Sequence, residues 1–243
     1  ESCGIAVTDD TTVKQYKDMG LVPEVFSSDV LEKLTGKIAV GHVRYSTAGG
    51  SLRQNSQPLV SKYLKGALTV CHNGNLVNAI ELREKFESEG FIFQTTIDTE
   101  VMAYVIARER VKNPSIEEAV SRMMDIVDGS YALLVMSPKK LIGCRDPYGI
   151  RPLVIGKRDN SYILSSETCA LDSVGAEFVR DVEPGEIVVI DENGIKSIKT
   201  HCKKKKSALC IFELIYFARP DSYIEGVSVY ESRKEAGRQL AIE

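Results

Sequence analysis

The sequence predicts an α+β protein in which antiparallel sheets and helices form separate layers. Two observations lead to this fold class. Strand patterns dominate both halves of the chain, and three helical patterns follow one another in the middle of it. Because strands and helices do not alternate, βαβ units are disfavoured and helices packed on antiparallel sheets are favoured.

Strands are predicted where short apolar runs are bounded by turn-forming residues such as Pro138, Asn160 and Gly194. The predicted strands are residues 4–7, 38–45, 67–71, 131–136, 141–144, 153–156, 162–165, 186–190 and 195–198, with a further strand-like run at 209–217.

Helices are predicted over residues 76–89, 99–111, 116–127 and 228–243. Ser115 and Glu118 form a capping-box pattern before the third helix, and Ser228 and Glu231 form the same pattern before the last one.

Composition narrows the class of protein. The chain has 243 residues, 43% of them hydrophobic, which suits one large globular domain or a domain with an extension. A net charge of −3 gives no electrostatic reason to expect nucleic acid, and no apolar run approaches the roughly 18 residues of a membrane span. Neither a signal peptide nor CxxC spacing among the six cysteines is present, so a reduced, cytoplasmic location is predicted.

Residues 72–76 (His-Asn-Gly-Asn-Leu) carry the first functional signal. They are predicted to form a turn between the strand at 67–71 and the helix that follows. Such a turn would leave backbone N–H groups and the Asn73 carboxamide pointing outward, as a developing oxyanion requires. This segment alone leaves a hairpin turn or a plain loop equally open.

Two charged residues support an amino-acid site. Arg44 ends a predicted strand before a loop of small residues, where it could grip a carboxylate or form a surface ion pair. Asp98 precedes a helix, where it could cap the helix or bind an ammonium group. An Arg for a carboxylate, an Asp for an ammonium and an oxyanion pocket together describe an α-amino acid whose side-chain carbonyl is attacked. Glutamine fits this description.

Seven motifs carry a family resemblance over essentially the whole chain. HVRYSTAG, HNGNLVNA and TIDTEV resemble the motifs of class II glutamine amidotransferases, which have the N-terminal-nucleophile (Ntn) hydrolase fold. RDPYGIRPL, SSETCALD, EPGEIVVI and YFARPDS resemble, within that class, the amidophosphoribosyltransferase family, which uses glutamine and phosphoribosylpyrophosphate to make 5-phosphoribosylamine in purine synthesis. The resemblance implies a four-layer αββα sandwich of two antiparallel sheets flanked by helices.

The resemblance also implies roles for individual residues. Arg44 would bind the α-carboxylate of glutamine and Asp98 its α-ammonium. Asn73 and the Gly74 N–H would form the oxyanion hole, and Thr47 would lie near the substrate in a loop, residues 45–50, that closes over it.

Three further residues are interpreted as structural. His72 is expected to support the turn and not to act as a base, and Tyr148 and Arg151 belong to an ordinary loop. The three histidines show no metal-ligand spacing.

The nucleophile of this family is a Cys at the start of the mature chain, with its free α-amine as the base. Cys3 is not expected to be this residue, because Glu1 and Ser2 precede it and its nitrogen is an amide. A leader cleaved before Cys3 is the alternative. Residues 1–7 instead resemble the second strand of the family, so the first strand and its Cys are expected to be absent and the chain alone inactive.

Two segments are predicted from the same resemblance. Residues 1–202 would be the glutaminase domain without its first strand, and residues 203–243 a linker toward a missing phosphoribosyltransferase domain, which would hold Mg²⁺. The four lysines at 203–206 are interpreted as a solvated loop, with a basic patch as the alternative. The intact family members are typically homotetramers.

Cys210 occupies a place where some members of the family have a ligand of a [4Fe–4S] cluster. A buried apolar cysteine is the alternative. Two rival functions also remain: a non-catalytic glutamine-binding or regulatory domain, and the glutaminase domain of another class II amidotransferase.

Overall fold

The computed structural model describes residues 1–45 and 50–242. The strands in these ranges are β1 (Ser2–Thr8), β2 (Val13–Met19), β3 (Ile38–Arg44), β4 (Leu59–Tyr63), β5 (Gly66–Leu76), β6 (Gly129–Ser137), β7 (Lys140–Arg145), β8 (Val154–Arg158), β9 (Ser161–Ser165), β10 (Glu177–Asp181), β11 (Ile187–Asp191), β12 (Gly194–Ile198), β13 (Tyr223–Ile224) and β14 (Val227–Ser228). The helices are α1 (Val22–Val25), α2 (Ser28–Lys33), α3 (Ala79–Ser88), α4 (Asp98–Lys112), α5 (Ile116–Ile126), α6 (Thr168–Ser173) and α7 (Val229–Leu240), with a 3₁₀ turn at Arg53–Asn55 and a π-helical turn at Glu213–Phe217.

A six-stranded antiparallel sheet in the order β12-β11-β7-β6-β5-β4 forms the centre of the molecule. Helices α4 and α5 cover one face of it, and apolar side chains from both layers, among them Val105, Ile106, Met123 and Leu133, are fully buried there. Removing each such side chain from water contributes about 1.5–3 kcal/mol.

Two three-stranded antiparallel sheets, β2-β1-β3 and β10-β8-β9, cover the opposite face. Ala6 and Val40 of the first pack with Cys71 and Met136 of the central sheet. Residues of the second sheet pack likewise on Ala132 and Val188, and α6 covers its outer side. The order of layers is therefore helix, sheet, sheet, helix, and the predicted α+β class is confirmed.

The two smaller sheets do not join along their edges. β3 ends one of them and β9 ends the other, and neither edge is paired with a further strand in the described ranges. Leu164 of β9 packs on the same apolar cluster as Val40 of β3, so both edges lie over one face of the central sheet. The site described below opens where these two strands end.

Two predicted elements are wrong. Residues 72–76 are not a turn, because β5 continues to Leu76 through pairing with β6 and α3 begins only at Ala79. Residues 209–217 are not a strand; their end forms the π-helical turn. The carbonyls of Leu214 and of Ala218, the residue after the turn, accept hydrogen bonds from the Arg233 side chain. The predicted N-caps are confirmed, since the Ser115 and Ser228 hydroxyls accept hydrogen bonds from the N–H groups of Glu118 and Glu231.

The C-terminal segment, residues 208–242, contacts the rest of the molecule. The N–H groups of Ala208 and Cys210 donate to the carbonyls of Tyr148 and Ile150. Glu225 accepts a hydrogen bond of 2.8 Å from a guanidinium that is almost fully buried, that of Arg145. A boundary at residue 202 stays a prediction.

In the described part of the chain, none of the helices has the length and apolar character needed to cross a membrane.

Candidate functional site

A cleft of about 780 Å³ lies between the end of β3 and the C-terminal segment. We call one side the sheet wall; it consists of Gly41, His42, Val43, Arg44, Tyr45, Gln57, His72, Asn73, Gly74, Ile97 and Asp98. We call the other the C-terminal wall; it consists of Arg151, Pro152, Ser166, Glu167, Glu213, Tyr216 and Phe217. The cleft is large enough for an amino acid.

Arg44 is the last residue of β3, where it lies opposite Ser2 of β1. It is only 6% exposed, and its Nη1 atom lies 3.4 Å from the Gly50 carbonyl oxygen. Burial lowers the pKa of the Arg44 guanidinium below its ordinary value, and the negative charge of Asp98 counteracts this effect. The two opposite charges are therefore close enough to influence each other.

Asp98 is the first residue of α4 and follows the N-cap residue Ile97. Its Oδ1 atom lies 3.3 Å from Nδ1 of His72, and its Oδ2 atom accepts a hydrogen bond of 3.0 Å from the Leu76 N–H. Burial alone would raise the pKa of the Asp98 carboxyl, but these hydrogen bonds and one from the Thr99 N–H lower it overall. The side chain is thus held as a carboxylate at neutral pH.

His72 is bonded on every polar atom. Its N–H donates to Oε1 of Gln57 at 2.7 Å, and its carbonyl oxygen accepts from Nε2 of Gln57 and from Nε2 of His42, each at 3.2 Å. In the ring, Nδ1 faces Asp98 and Nε2 lies 3.2 Å from the Ser130 carbonyl oxygen. Burial lowers the pKa of the neighbouring His42 imidazole to about 4, so that ring is neutral at pH 7.

Asn73 and Gly74 lie next to His72 in β5, opposite Ala132 and Tyr131 of β6. The half-buried Asn73 carboxamide makes no hydrogen bond within the ranges that the structure describes. Gly74 has φ = +147°, and a Cβ atom there would lie 2.0 Å from the Ser130 carbonyl oxygen. Only glycine fits this position.

The predicted site residues are therefore brought together with one exception. Arg44, Asn73, Gly74 and Asp98 share the sheet wall. Thr47 lies outside the described residues.

The described cleft lining contains no cysteine. Cys3 is 2% exposed on β1, its Sγ atom lies 3.8 Å from the Gly20 carbonyl oxygen, and burial raises the pKa of its thiol. Burial raises the thiol pKa of Cys71 and Cys144 as well.

Cys210 is half-buried and carries no disulfide. A [4Fe–4S] cluster takes four cysteine ligands, and no group of three or more metal-ligating side chains is found among residues 1–45 and 50–242. The residues present therefore do not form a cluster site by themselves, and Cys210 could supply one ligand only.

The C-terminal wall has no counterpart among the sequence predictions, which assign Arg151 to an ordinary loop. Arg151 Nη1 donates to Oε1 of Glu213 at 2.6 Å, and the guanidinium carbon lies 4.9 Å from the centre of the Phe217 ring. Burial raises the pKa of Glu213 although Arg151 opposes this. No sequence signal joins residues 62 positions apart, because their pairing depends on how the C-terminal segment docks.

Gln57 was also missed. Its side chain imitates a neighbouring strand by binding both the N–H and the carbonyl of His72, and it is 5% exposed. A single glutamine after a loop carries no pattern that predicts such a contact.

Comparisons with known proteins show the family to which the chain belongs. A family model described as "Glutamine amidotransferase domain" matches residues 42–173, which is more than half of the chain. The chain is 45% identical to an amidophosphoribosyltransferase of Archaeoglobus fulgidus, over 100% of this chain and 53% of that protein. It is 43% identical to the Bacillus subtilis amidophosphoribosyltransferase, over 100% of this chain and 51% of that protein. The chain thus spans about half the length of the curated relatives it matches.

Solved structures similar to this chain belong to the same kind of enzyme as the sequence relatives. The chain superposes with a TM-score of 0.93 and 41% identity on the B. subtilis glutamine phosphoribosylpyrophosphate amidotransferase, solved with ADP and GMP, over 100% of this chain and 52% of the other. A structure described as the allosteric regulatory enzyme of purine biosynthesis gives a TM-score of 0.94 at 43% identity, over 99% and 51% of the two chains.

Proposed function

Since the chain belongs to the glutamine amidotransferase domain family, we propose that its cleft binds L-glutamine and hydrolyses the side-chain amide, as the glutaminase part of an amidophosphoribosyltransferase. The observation that carries the proposal is that a cation, a carboxylate and a carboxamide (Arg44, Asp98 and Asn73) lie on one wall of one cleft. Glutamine carries the complementary groups: a carboxylate and an ammonium on its Cα atom, and a carbonyl at the end of its side chain.

In the proposed complex the glutamine backbone binds between two charges. The Arg44 guanidinium donates two parallel hydrogen bonds to the α-carboxylate. Asp98 accepts from the α-ammonium; a carboxylate has about four acceptor positions, of which His72 and the N–H groups of Leu76 and Thr99 occupy three. The mutual influence of Arg44 and Asp98 supports this arrangement. Thr47 is also proposed to contact the substrate.

The chemical step is thiolate attack on the glutamine carboxamide. The carbonyl oxygen becomes an oxyanion, which the Asn73 carboxamide and the Gly74 N–H stabilise, and the amide nitrogen leaves as ammonia. Water then hydrolyses the thioester to glutamate. The attacking thiol would be an N-terminal cysteine outside these 243 residues, a proposal supported by the absence of cysteine from the described cleft lining and by the buried position of Cys3.

The whole protein would use this ammonia on phosphoribosylpyrophosphate to give 5-phosphoribosylamine. The names of the relatives support this proposal. Residues 1–202 would be the glutaminase domain and 203–243 the connection to the phosphoribosyltransferase domain, which would hold Mg²⁺. We further propose a cytoplasmic homotetramer; six free cysteines suit a reducing compartment. If a [4Fe–4S] cluster is present, Cys210 would be one ligand and the others would come from elsewhere in the whole protein.

The test is glutamate production from glutamine by the full-length protein and two variants. We expect activity in the wild type, a KM for glutamine raised about tenfold or more in Asp98→Asn, and wild-type kinetics in Asp125→Asn. Asp125 is a matched control, because it also contacts a histidine, His201, but lies outside the cleft lining. Glutamine binding without glutamate would favour a non-catalytic binding domain, and neither binding nor turnover would contradict the proposal.

A further inference from the structure

We propose that His72 is a positioning residue that joins the two working parts of the glutamine site. One ring nitrogen orients the carboxylate that binds the ammonium group, and the other fixes the backbone next to the oxyanion hole. The inference rests on the proposed function.

The first arm runs from Nδ1 to Asp98. The contact is 3.3 Å long, the His72 side chain is 1% exposed and the Asp98 side chain 13% exposed. A hydrogen bond to a charged group that is largely buried from solvent restricts the carboxylate to one orientation. The Leu76 N–H holds the other carboxylate oxygen, so Asp98 is fixed from β5 at both oxygens.

The second arm runs from Nε2 to the Ser130 carbonyl oxygen at 3.2 Å. The Ser130 carbonyl and the His72 ring both lie close to Gly74. A Cβ atom at Gly74 would lie 2.0 Å from that oxygen and 2.9 Å from His72 Nε2. The Ser130 hydroxyl also accepts the N–H of Asn75, the next residue of β5. The imidazole thus holds β6 against β5 at the residue whose N–H is proposed to bind the oxyanion.

The backbone that carries the imidazole is held by hydrogen bonds on both its N–H and its carbonyl. Gln57 binds both its N–H and its carbonyl, and His42 donates to the same carbonyl. Both ring nitrogens lie within hydrogen-bond distance of protein oxygens, one of a carboxylate and one of a carbonyl, so both are engaged inside the protein. This occupancy suits a positioning role better than general-base catalysis.

Each of the two His72 contacts can be removed separately by substitution in the full-length protein. In His72→Asn the amide nitrogen takes the place of Nδ1 and keeps the bond to Asp98; in His72→Gln it takes the place of Nε2 and keeps the bond to Ser130. We therefore expect His72→Asn to lower kcat about tenfold or more with little change in KM. We expect His72→Gln to raise the KM for glutamine about tenfold or more with little change in kcat.

Matched controls separate this effect from a loss of structure. His201→Asn and His201→Gln alter another buried histidine that contacts an aspartate, 3% exposed and outside the cleft lining, and both should keep wild-type kinetics. If the His72 variants do not fold, Gln57→Met keeps the imidazole and releases only its clamp. It should lower kcat and raise KM together.

Three results would overturn the proposal: equal profiles for His72→Asn and His72→Gln, wild-type kinetics in both, or wild-type kinetics in Gln57→Met. Failure of the proposed function would look different, because the wild-type protein would then produce no glutamate. An active wild type with an inactive Asn73→Ala variant and unaffected His72 variants would reject this inference alone.

Discussion

The two walls of the cleft are built in different ways. The sheet wall places Arg44, His72 and Asp98 on two strands and a helix, and each of these side chains is nearly buried. The C-terminal wall rests on a loop and a five-residue π-helical turn, held by the Arg151–Glu213 ion pair, and its rim exposes 71% of Tyr216 and 45% of Phe217.

This difference separates two tasks. Groups that recognise an amino acid need fixed positions, which regular elements and buried hydrogen bonds supply. The C-terminal wall closes the cleft through a small number of charged contacts from a segment far away in the chain. Substitutions of Arg44, Asn73 or Asp98 on the sheet wall should therefore change catalysis or glutamine binding, and substitutions on the C-terminal wall should change stability first.

The largest effect is expected at Asn73. In the full-length protein Asn73→Ala should lower kcat by about 10²–10³, because one donor to the oxyanion is lost. Asn160→Ala, in an exposed turn, is the control and should leave turnover unchanged. A loss of less than about tenfold would mean that Asn73 has been assigned wrongly.

The second effect is a dependence of stability on pH through His42. Its pKa is about 4 in the folded protein against an ordinary value of 6.5, so at pH values between these the unfolded chain binds a proton that the folded protein does not. Stability is complete above pH 6.5 and falls by about 3 kcal/mol as the pH falls to 4. Urea unfolding at pH 7 and pH 4.5 would measure this.

His42→Gln is the matched variant, because its amide can still donate to the His72 carbonyl. It should lose less stability than the wild type between the two pH values. An equal loss in both proteins would place the acid sensitivity in other groups.

A smaller effect is expected on the C-terminal wall. Arg151→Met leaves the Glu213 carboxylate, 6% exposed, without its partner, which should lower the free energy of unfolding by about 2 kcal/mol. Arg151→Lys keeps a cation and should lose less. Denaturant unfolding measures both variants, and no difference from the wild type would show that the ion pair does not hold this wall.

The smallest effect is expected for Arg44→Leu, which should raise the KM for glutamine about tenfold while kcat changes little, because carboxylate binding is made equally in the ground and transition states. Arg158→Leu, on an exposed side chain outside the cleft lining, is the control. An unchanged KM in Arg44→Leu would remove Arg44 from its proposed role.

Much of the sheet wall could be predicted from the sequence. The strands and helices that hold it have strong hydrophobic periods, and Arg44, Asn73 and Asp98 lie in motifs with a recognisable chemistry. The course of the chain at residues 72–76 was predicted wrongly, because the Asn-Gly pair is typical of a turn while pairing with β6 keeps it in a strand.

The rest depends on contacts that no local pattern encodes. Gln57 clamps a residue 15 positions away, and Arg151 meets Glu213 only after the C-terminal segment has docked. Strands β2, β4 and β10 were not predicted, since their polar sequences gain their structure from pairing with a neighbour. Tertiary pairing outweighs local propensity in all of these cases.

The most direct test of the central claim is a crystal structure of the full-length protein with L-glutamate, the product that carries the same α-carboxylate and α-ammonium as glutamine. The account predicts the carboxylate on the Arg44 guanidinium, the ammonium within hydrogen-bond distance of Asp98, and the side chain directed toward Asn73 and Gly74. Glutamate bound away from Arg44 and Asp98, or bound in the reverse orientation, would contradict it.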